Sequence, residues 1–138
     1  STHCISSAAS DVYKRQIPKA DRVICDVPCS GLGVIRRKPE IKYKPMKQLE
    51  TLPDTHRKII NNAAEYVKPG GTLVYSTCTV SRTENDDIVD EFLKEHSDFV
   101  PVVVPLNIKG LEDSYKRTML PCDVNGDGFF TATLRKVK

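Results

Sequence analysis

From Asp21 onward, the apolar positions along the chain follow two alternating periods, and each change of period marks an element. Arg22–Val27 is a short β-rich run, stopped by Pro28 and followed by Ser30, Gly31 and Gly33, which predicts a strand opening into a flexible loop. Ile59, Ile60, Ala63, Ala64 and Val67 then recur at helical spacing. Pro53 and Asp54 suit the start of that helix and Pro69, Gly70 and Gly71 its end, so it is predicted over 54–68. Thr72–Thr77 is apolar and β-branched and predicts a buried strand. A second helix is predicted from Thr83 to about His96. Glu84, Asp86 and Asp87 in its first turn and Lys94 and His96 in its last complement the helix dipole, and Ile88, Val89, Phe92 and Leu93 form its inner face. Val100–Val104 and Phe129–Arg135 predict two further strands across a polar, glycine-containing stretch. Residues 1–16 carry neither period and are assigned no element.

The resulting order is β-α-β-α-β-β. Strands alternating with helices imply an α/β fold, a mostly parallel sheet with right-handed crossovers, and the last two strands in succession imply a closing antiparallel edge strand. Four strands and two helices make only part of a doubly wound domain, and 138 residues allow one domain. The opening STHCISSAASDVYKRQ resembles a translated adapter or library junction. Residues 1–16 are therefore expected to be a non-native leader, or else a native disordered one, with the folded part in 17–138.

Composition narrows the function. With 39% hydrophobic and 28% charged residues the chain is neither disordered nor fibrous. Its apolar runs fall far short of the roughly 20 residues of a membrane span, so no membrane partner is expected. Five cysteines without paired spacing fit a reducing, cytosolic compartment better than a disulfide framework. Formal charge is +3, but the first 69 residues carry +6 and the rest −3. Arg36, Arg37, Lys38, Lys42, Lys44 and Lys47 crowd one stretch against Glu40 alone. That stretch suits a polyanion such as nucleic acid, although charge by itself fits a solvated loop equally well.

Two cysteines fall at the carboxyl ends of the two parallel strands, Cys29 after Asp26-Val27-Pro28 and Cys78 after Ser76-Thr77. Ligands bind at that edge of open α/β sheets. Either cysteine alone reads as a small buried apolar residue, but the pair, with Asp26 beside it, is a candidate reactive site. Other constellations fail on spacing. Cys25, Cys29, His56 and His96 lack a second close ligand pair for zinc, so no metal is expected. Asp123–Gly128 fits half a calcium loop but has Leu134 where a bidentate Glu is required. His3-Cys4 is followed by Ser10 where a phosphate-cradling arginine would stand. Cys25 and Cys29 have three residues between them where a redox pair usually has two.

DVPCSGLGVIRRKPEIKY (Asp26–Tyr43), VKPGGTLVYSTCTV (Val67–Val80) with Glu84-Asn85 behind it, and DGFFTATLRK (Asp127–Lys136) resemble, in order, three signature blocks of the RNA cytosine-5 methyltransferases. Within that family the likeness is to the bacterial 16S ribosomal RNA branch. The resemblance implies the carboxyl-terminal half of a Rossmann-like class I methyltransferase domain over 17–138, with S-adenosylmethionine as cofactor and RNA, ribosomal RNA in particular, as partner. It implies Cys78 as the nucleophile that adds to carbon 6 of cytosine, and Cys29 as the group that assists the later elimination. It places Asp26 at the junction of cofactor and base, and it suits Arg36, Arg37 and Lys38 to RNA phosphates. The chain also departs from the family pattern. The glycine-rich cofactor loop and the acidic residues after the second and third strands are absent, so this sequence starts just before what would be the fourth strand. Alone it is expected to bind S-adenosylmethionine weakly or not at all, and to leave one edge of its first strand unpaired. The alternative is a non-catalytic RNA-binding remnant whose cysteines are core residues.

Overall fold

Alternation along one strand sets the geometry of the sheet. In the computed structural model, which describes residues 2–5, 18–105 and 112–138, Ala20, Val23 and Cys25 are fully buried while Arg22, Ile24 and Asp26 face outward. The described elements are β1 (Thr2–Ile5), β2 (Ala20–Asp26), 3-10 turns at Leu32–Val34 and Pro39–Tyr43, α1 (Met46–Glu50) and α2 (Leu52–Glu65). After them come β3 (Val67–Thr77), a 3-10 turn at Arg82–Glu84, α3 (Asp86–Glu95), β4 (Phe99–Pro101), β5 (Lys116–Met119), α4 (Pro121–Val124) and β6 (Phe129–Lys136).

The sheet runs β1-β2-β3-β6-β4, with β5 also paired to β6. β1, β2 and β3 are parallel, and β6 runs antiparallel to β3, β4 and β5. The mixed α/β sheet is as the sequence implies, but its reversed strand is not an edge. β6 lies between β3 on one side and β4 and β5 on the other. Its alternating Phe130, Ala132 and Leu134 are fully buried, which an edge strand would not need.

Helices α2 and α3 cover one face of this sheet. Ile59, Ile60, Ala63 and Ala64 of α2 and Ile88, Val89 and Phe92 of α3 close over Val23, Cys25, Leu73, Tyr75, Phe130 and Leu134. Fully burying each large apolar side chain stabilises the fold by roughly 1.5–3 kcal/mol. The opposite face is only half covered among the described residues, so Thr72, Val74 and Ser76 of β3 are partly exposed where the sequence suggested burial on both faces. No helix among the described residues is long and apolar enough to cross a membrane.

Several boundaries differ from the sequence reading. Thr2–Ile5 forms β1, parallel to β2 from Thr2 opposite Arg22 to Ile5 opposite Cys25. This corrects the expectation of no element in residues 1–16 at these four positions; residues 6–16 lie outside the described residues. Four residues are too few to show a period, whereas the open edge of β2 offers a row of unpaired N–H and C=O groups to any extended segment. That edge of β2 is consequently paired. α2 ends at Glu65, three residues early, because the Ala20 N–H donates to Tyr66 O at 2.7 Å and draws the chain into the sheet. Pro69-Gly70-Gly71 then lies within β3, beside a register shift between Ala20 and Arg22, with Gly70 at φ +78°. The Val100–Val104 strand shrinks to Phe99–Pro101 and a single bridge from Val104 to Ser114. Pro101 and Pro105 carry no N–H to extend it. β5 lies in the polar stretch that was given no element.

Candidate active site

In the parallel pair, Asp26 sits opposite Ser76, so the loops that leave β2 and β3 start side by side. Cys29 and Cys78 emerge from them with their Sγ atoms 3.1 Å apart, a hydrogen bond in which either thiol can donate. Both cysteines are half-buried.

Backbone and hydroxyl contacts lock the loops together. Ser30 Oγ and Thr79 Oγ1 are 2.7 Å apart, and the Gly33 N–H donates to Cys78 O at 3.1 Å. The Gly128 N–H in turn donates to Gly33 O at 2.8 Å, which brings the turn before β6 into the site. Gly31 holds φ +78°, a left-handed conformation that favours glycine. The turn after Thr79 also joins the site. The buried Glu84 carboxylate accepts the Ser30 N–H at 2.9 Å. Buried Asn85 accepts from Thr77 Oγ1 at 2.7 Å and donates to Thr79 O at 3.0 Å.

Burial pushes the Cys29 thiol up to about 12, and its hydrogen bond to Cys78 and the Cys78 charge act in the same direction. Cys29 is therefore a neutral thiol near pH 7. It can donate a hydrogen bond to the Cys78 sulfur and is itself a poor nucleophile. Burial likewise raises the Tyr75 phenol well above its ordinary range.

The remaining candidates separate into two groups. Asp26 is exposed at the carboxyl edge of β2 and accepts a hydrogen bond from Ser76 Oγ at 3.2 Å. Arg36 and Lys38 are exposed on the segment following the Cys29 loop. Arg37, grouped with them by sequence, is exposed as well and in addition forms an ion pair with the largely buried Asp127. The zinc alternative disperses. Cys25 is a core residue, His56 is bonded through both ring nitrogens, and His96 stacks on Phe92 at 4.2 Å while bonding Asn61.

Sequence reasoning missed His56, Ser30, Thr79, Gly33 and the true place of Glu84 and Asn85. Glu84 read as a helix-dipole charge, yet it is 4% exposed and points at the Cys29 loop. One signal was available. His56 shares a helix face with Ile59, Ile60 and Ala63, and a polar group on such a face requires buried partners.

The profile of the family 16S rRNA methyltransferase RsmB/F matches residues 2–135. The probable ribosomal RNA small subunit methyltransferase B of Bacillus subtilis is 43% identical over 84% of the chain, and the Klebsiella pneumoniae ribosomal RNA small subunit methyltransferase B is 39% identical over 84%. The chain spans about a quarter of their lengths, 27% and 26% respectively. Among solved structures, NSun6 from Pyrococcus horikoshii with SFG superposes with a TM-score of 0.73 at 31% identity, over 88% of this chain and 31% of that one.

Proposed function

The chain belongs to the 16S rRNA methyltransferase RsmB/F family, and from that premise we propose that it carries the thiol chemistry for methylating carbon 5 of a cytosine in RNA, with ribosomal RNA as the substrate class. The observation that carries this reading is the Cys29–Cys78 pair, 3.1 Å apart beyond the carboxyl ends of two adjacent parallel strands.

Carbon 5 of cytosine is a poor nucleophile. Addition of the Cys78 sulfur to carbon 6 converts the ring to an enamine whose carbon 5 can attack an electrophile, so one hard step becomes two easier ones. S-adenosylmethionine, when bound, supplies an electrophilic methyl group for that carbon. SFG, present in the archaeal NSun6 structure, is an analogue of that molecule, which supports the cofactor assignment. Asp26 fits the cofactor in kind: an exposed carboxylate at the ligand-binding edge, suited to a cationic group and to the exocyclic amine of cytosine. Once carbon 5 bears both hydrogen and methyl, removal of that hydrogen as a proton expels the Cys78 sulfur. Cys29, in contact with Cys78, is the group placed to assist. A base inside an RNA helix must leave its stack to reach Cys78, at a cost of a few kcal/mol. Phosphate contacts from Arg36 and Lys38 offset part of that cost.

The test is adduct formation. The chain, fused behind the amino-terminal part of the Bacillus subtilis relative and given S-adenosylmethionine, is incubated with RNA carrying 5-fluorocytosine at the target. A covalent adduct is expected, and Cys78→Ala abolishes it. Adduct that survives Cys78→Ala refutes the nucleophile assignment. RNA binding without any adduct from the parent fusion favours the non-catalytic, RNA-binding reading.

A further inference from the structure

The loop that carries Cys29 is held by a histidine for which the proposed chemistry has no direct use. His56 is fully buried on α2, and its Nε2 lies 2.7 Å from Pro28 O. A carbonyl only accepts, so Nε2 bears the proton of that bond. On the other side of the ring, Nδ1 is 3.0 Å from the Tyr75 hydroxyl and 3.2 Å from Glu84 O, and the same hydroxyl donates to Glu84 O at 2.6 Å.

The two ends of this network meet the chain on either side of Cys29. Pro28 precedes it. Glu84, whose carbonyl faces the ring and the phenol, sends its carboxylate to the N–H of Ser30, which follows it. Cys78 leaves the separate strand β3 and meets that loop through the Gly33 N–H on its carbonyl. The position of the Cys29 thiol thus depends directly on the buried histidine, whereas Cys78 feels it only through the Cys29 loop. Packing alone gives no reason for an imidazole here, since a leucine would fill a helix face shared with Ile59 and Ile60 without needing buried polar partners.

We propose that His56 is a positioning residue for Cys29: its Nε2–H grips the Pro28 carbonyl and sets the Cys29 thiol against Cys78. The catalytic consequence rests on the reading of Cys29 as the group that assists elimination.

Two measurements test it. The first uses the 138-residue chain with no RNA or cofactor. Diamide, a thiol oxidant, closes a Cys29–Cys78 disulfide, and peptide mapping without reductant gives the rate at which the linked peptides appear. His56→Leu is expected to slow closure by about 10-fold or more, and His56→Gln, which retains an N–H donor, to recover it to within about 3-fold, because misplacing a reacting group by a fraction of an ångström has effects of this size. Equal rates in the parent and His56→Leu overturn the proposal. If His56→Leu fails to fold by circular dichroism, Tyr75→Phe, which deletes the hydroxyl shared between Nδ1 and Glu84 O, takes its place. It is expected to close about 3-fold slower, and an unchanged rate overturns the proposal equally. The second measurement uses the fusion enzyme with unmodified cytosine RNA. His56→Leu is expected to form adduct at close to the parent rate but to accumulate it, and equal slowing of formation and release overturns the proposal. A parent enzyme that forms no adduct even with the 5-fluorocytosine RNA refutes the proposed function instead, and the disulfide rates then decide the placement of Cys29 alone.

Discussion

Gly33 is the point at which three segments of the site touch, and adding one methyl group there tests whether the site is assembled as described. A Cβ on Gly33 falls inside the van der Waals envelope of Gly128 O, 2.6 Å from the Gly128 carbonyl carbon and 2.9 Å from Cys78 O. All three are backbone atoms, so no rotamer change relieves the clash. The Gly128 turn must retreat by close to an ångström, which breaks the bond from the Gly128 N–H to Gly33 O at 2.8 Å and strains that from the Gly33 N–H to Cys78 O at 3.1 Å. Two such hydrogen bonds contribute about 1 kcal/mol each. Overpacking adds about 1–3 kcal/mol. Gly33→Ala is therefore expected to destabilise the chain by roughly 3–5 kcal/mol, a large share of the 5–15 kcal/mol typical of a domain. The assay is urea unfolding of the 138-residue chain followed by circular dichroism. Gly126→Ala is the control, because its nearest neighbours would be Val124 atoms at 3.7 Å, ordinary contact, and its unfolding free energy should change by less than about 0.5 kcal/mol. If Gly33→Ala costs less than about 1 kcal/mol, the close approach of the Cys29, Cys78 and Gly128 segments is refuted.

Iodoacetamide at pH 8 should label Cys29 at least about 100-fold more slowly than an unperturbed cysteine, since a thiol raised to about 12 is ionised only to about one part in ten thousand there. Cys78→Ala removes two of the contributions that raise it and should speed that labelling; an unchanged rate refutes their coupling. The folded state holds the Cys29 proton more tightly than the unfolded chain. Its contribution to stability is thus complete below about pH 9 and is lost as pH rises through about 12, and Cys29→Ser should flatten alkaline urea midpoints across that window. Arg36→Ala and Lys38→Ala should each weaken binding to structured RNA and reduce the slope of log affinity against log salt by about 1. Arg37→Ala should leave that slope unchanged and instead destabilise the fold by about 1–3 kcal/mol, because it strands the largely buried Asp127 carboxylate. An Arg37 variant that alters only the salt slope contradicts the ion pair.

What could be read from the sequence was whatever depends on local order. The two parallel strands, the helices between and after them, and a cysteine at each strand's carboxyl end all follow from period and punctuation within windows of fewer than twenty residues. The parts that could not be read depend on distant partners. β1 exists as a neighbour to β2, and nothing within Thr2–Ile5 announces it. β6 is interior because β5, close in sequence, and β4, more than thirty residues back, both pair on its far side, and β5 left no legible period in its polar stretch. Arg37 looked equivalent to Arg36 and Lys38 until Asp127, ninety residues later, arrived beside it. Glu84 reads from the sequence as a helix-dipole charge, yet it and Asn85 serve the adjoining loops through buried hydrogen bonds.

On the proposed mechanism, the asymmetry of the two thiols also orders the reaction. While the Cys78 sulfur is free, burial, the hydrogen bond between the thiols and the Cys78 charge all keep the proton on Cys29. A protonated Cys29, 3.1 Å from the Cys78 sulfur, cannot itself add to the base. When the Cys78 sulfur bonds to carbon 6 it loses its negative charge, and as a thioether it is only a weak acceptor. Two of the three contributions that hold the Cys29 proton then fall away and burial alone remains, so Cys29 becomes easier to ionise once the adduct exists. Addition therefore precedes proton removal without a separate conformational step. The order is enforced by distance, which is why the tethers at Gly33, Ser30, Thr79 and His56 matter more to this site than the intrinsic reactivity of either cysteine. A pair drawn even 2 Å further apart would lose the hydrogen bond and keep the burial, so the Cys29 proton would be held more nearly alike before and after addition.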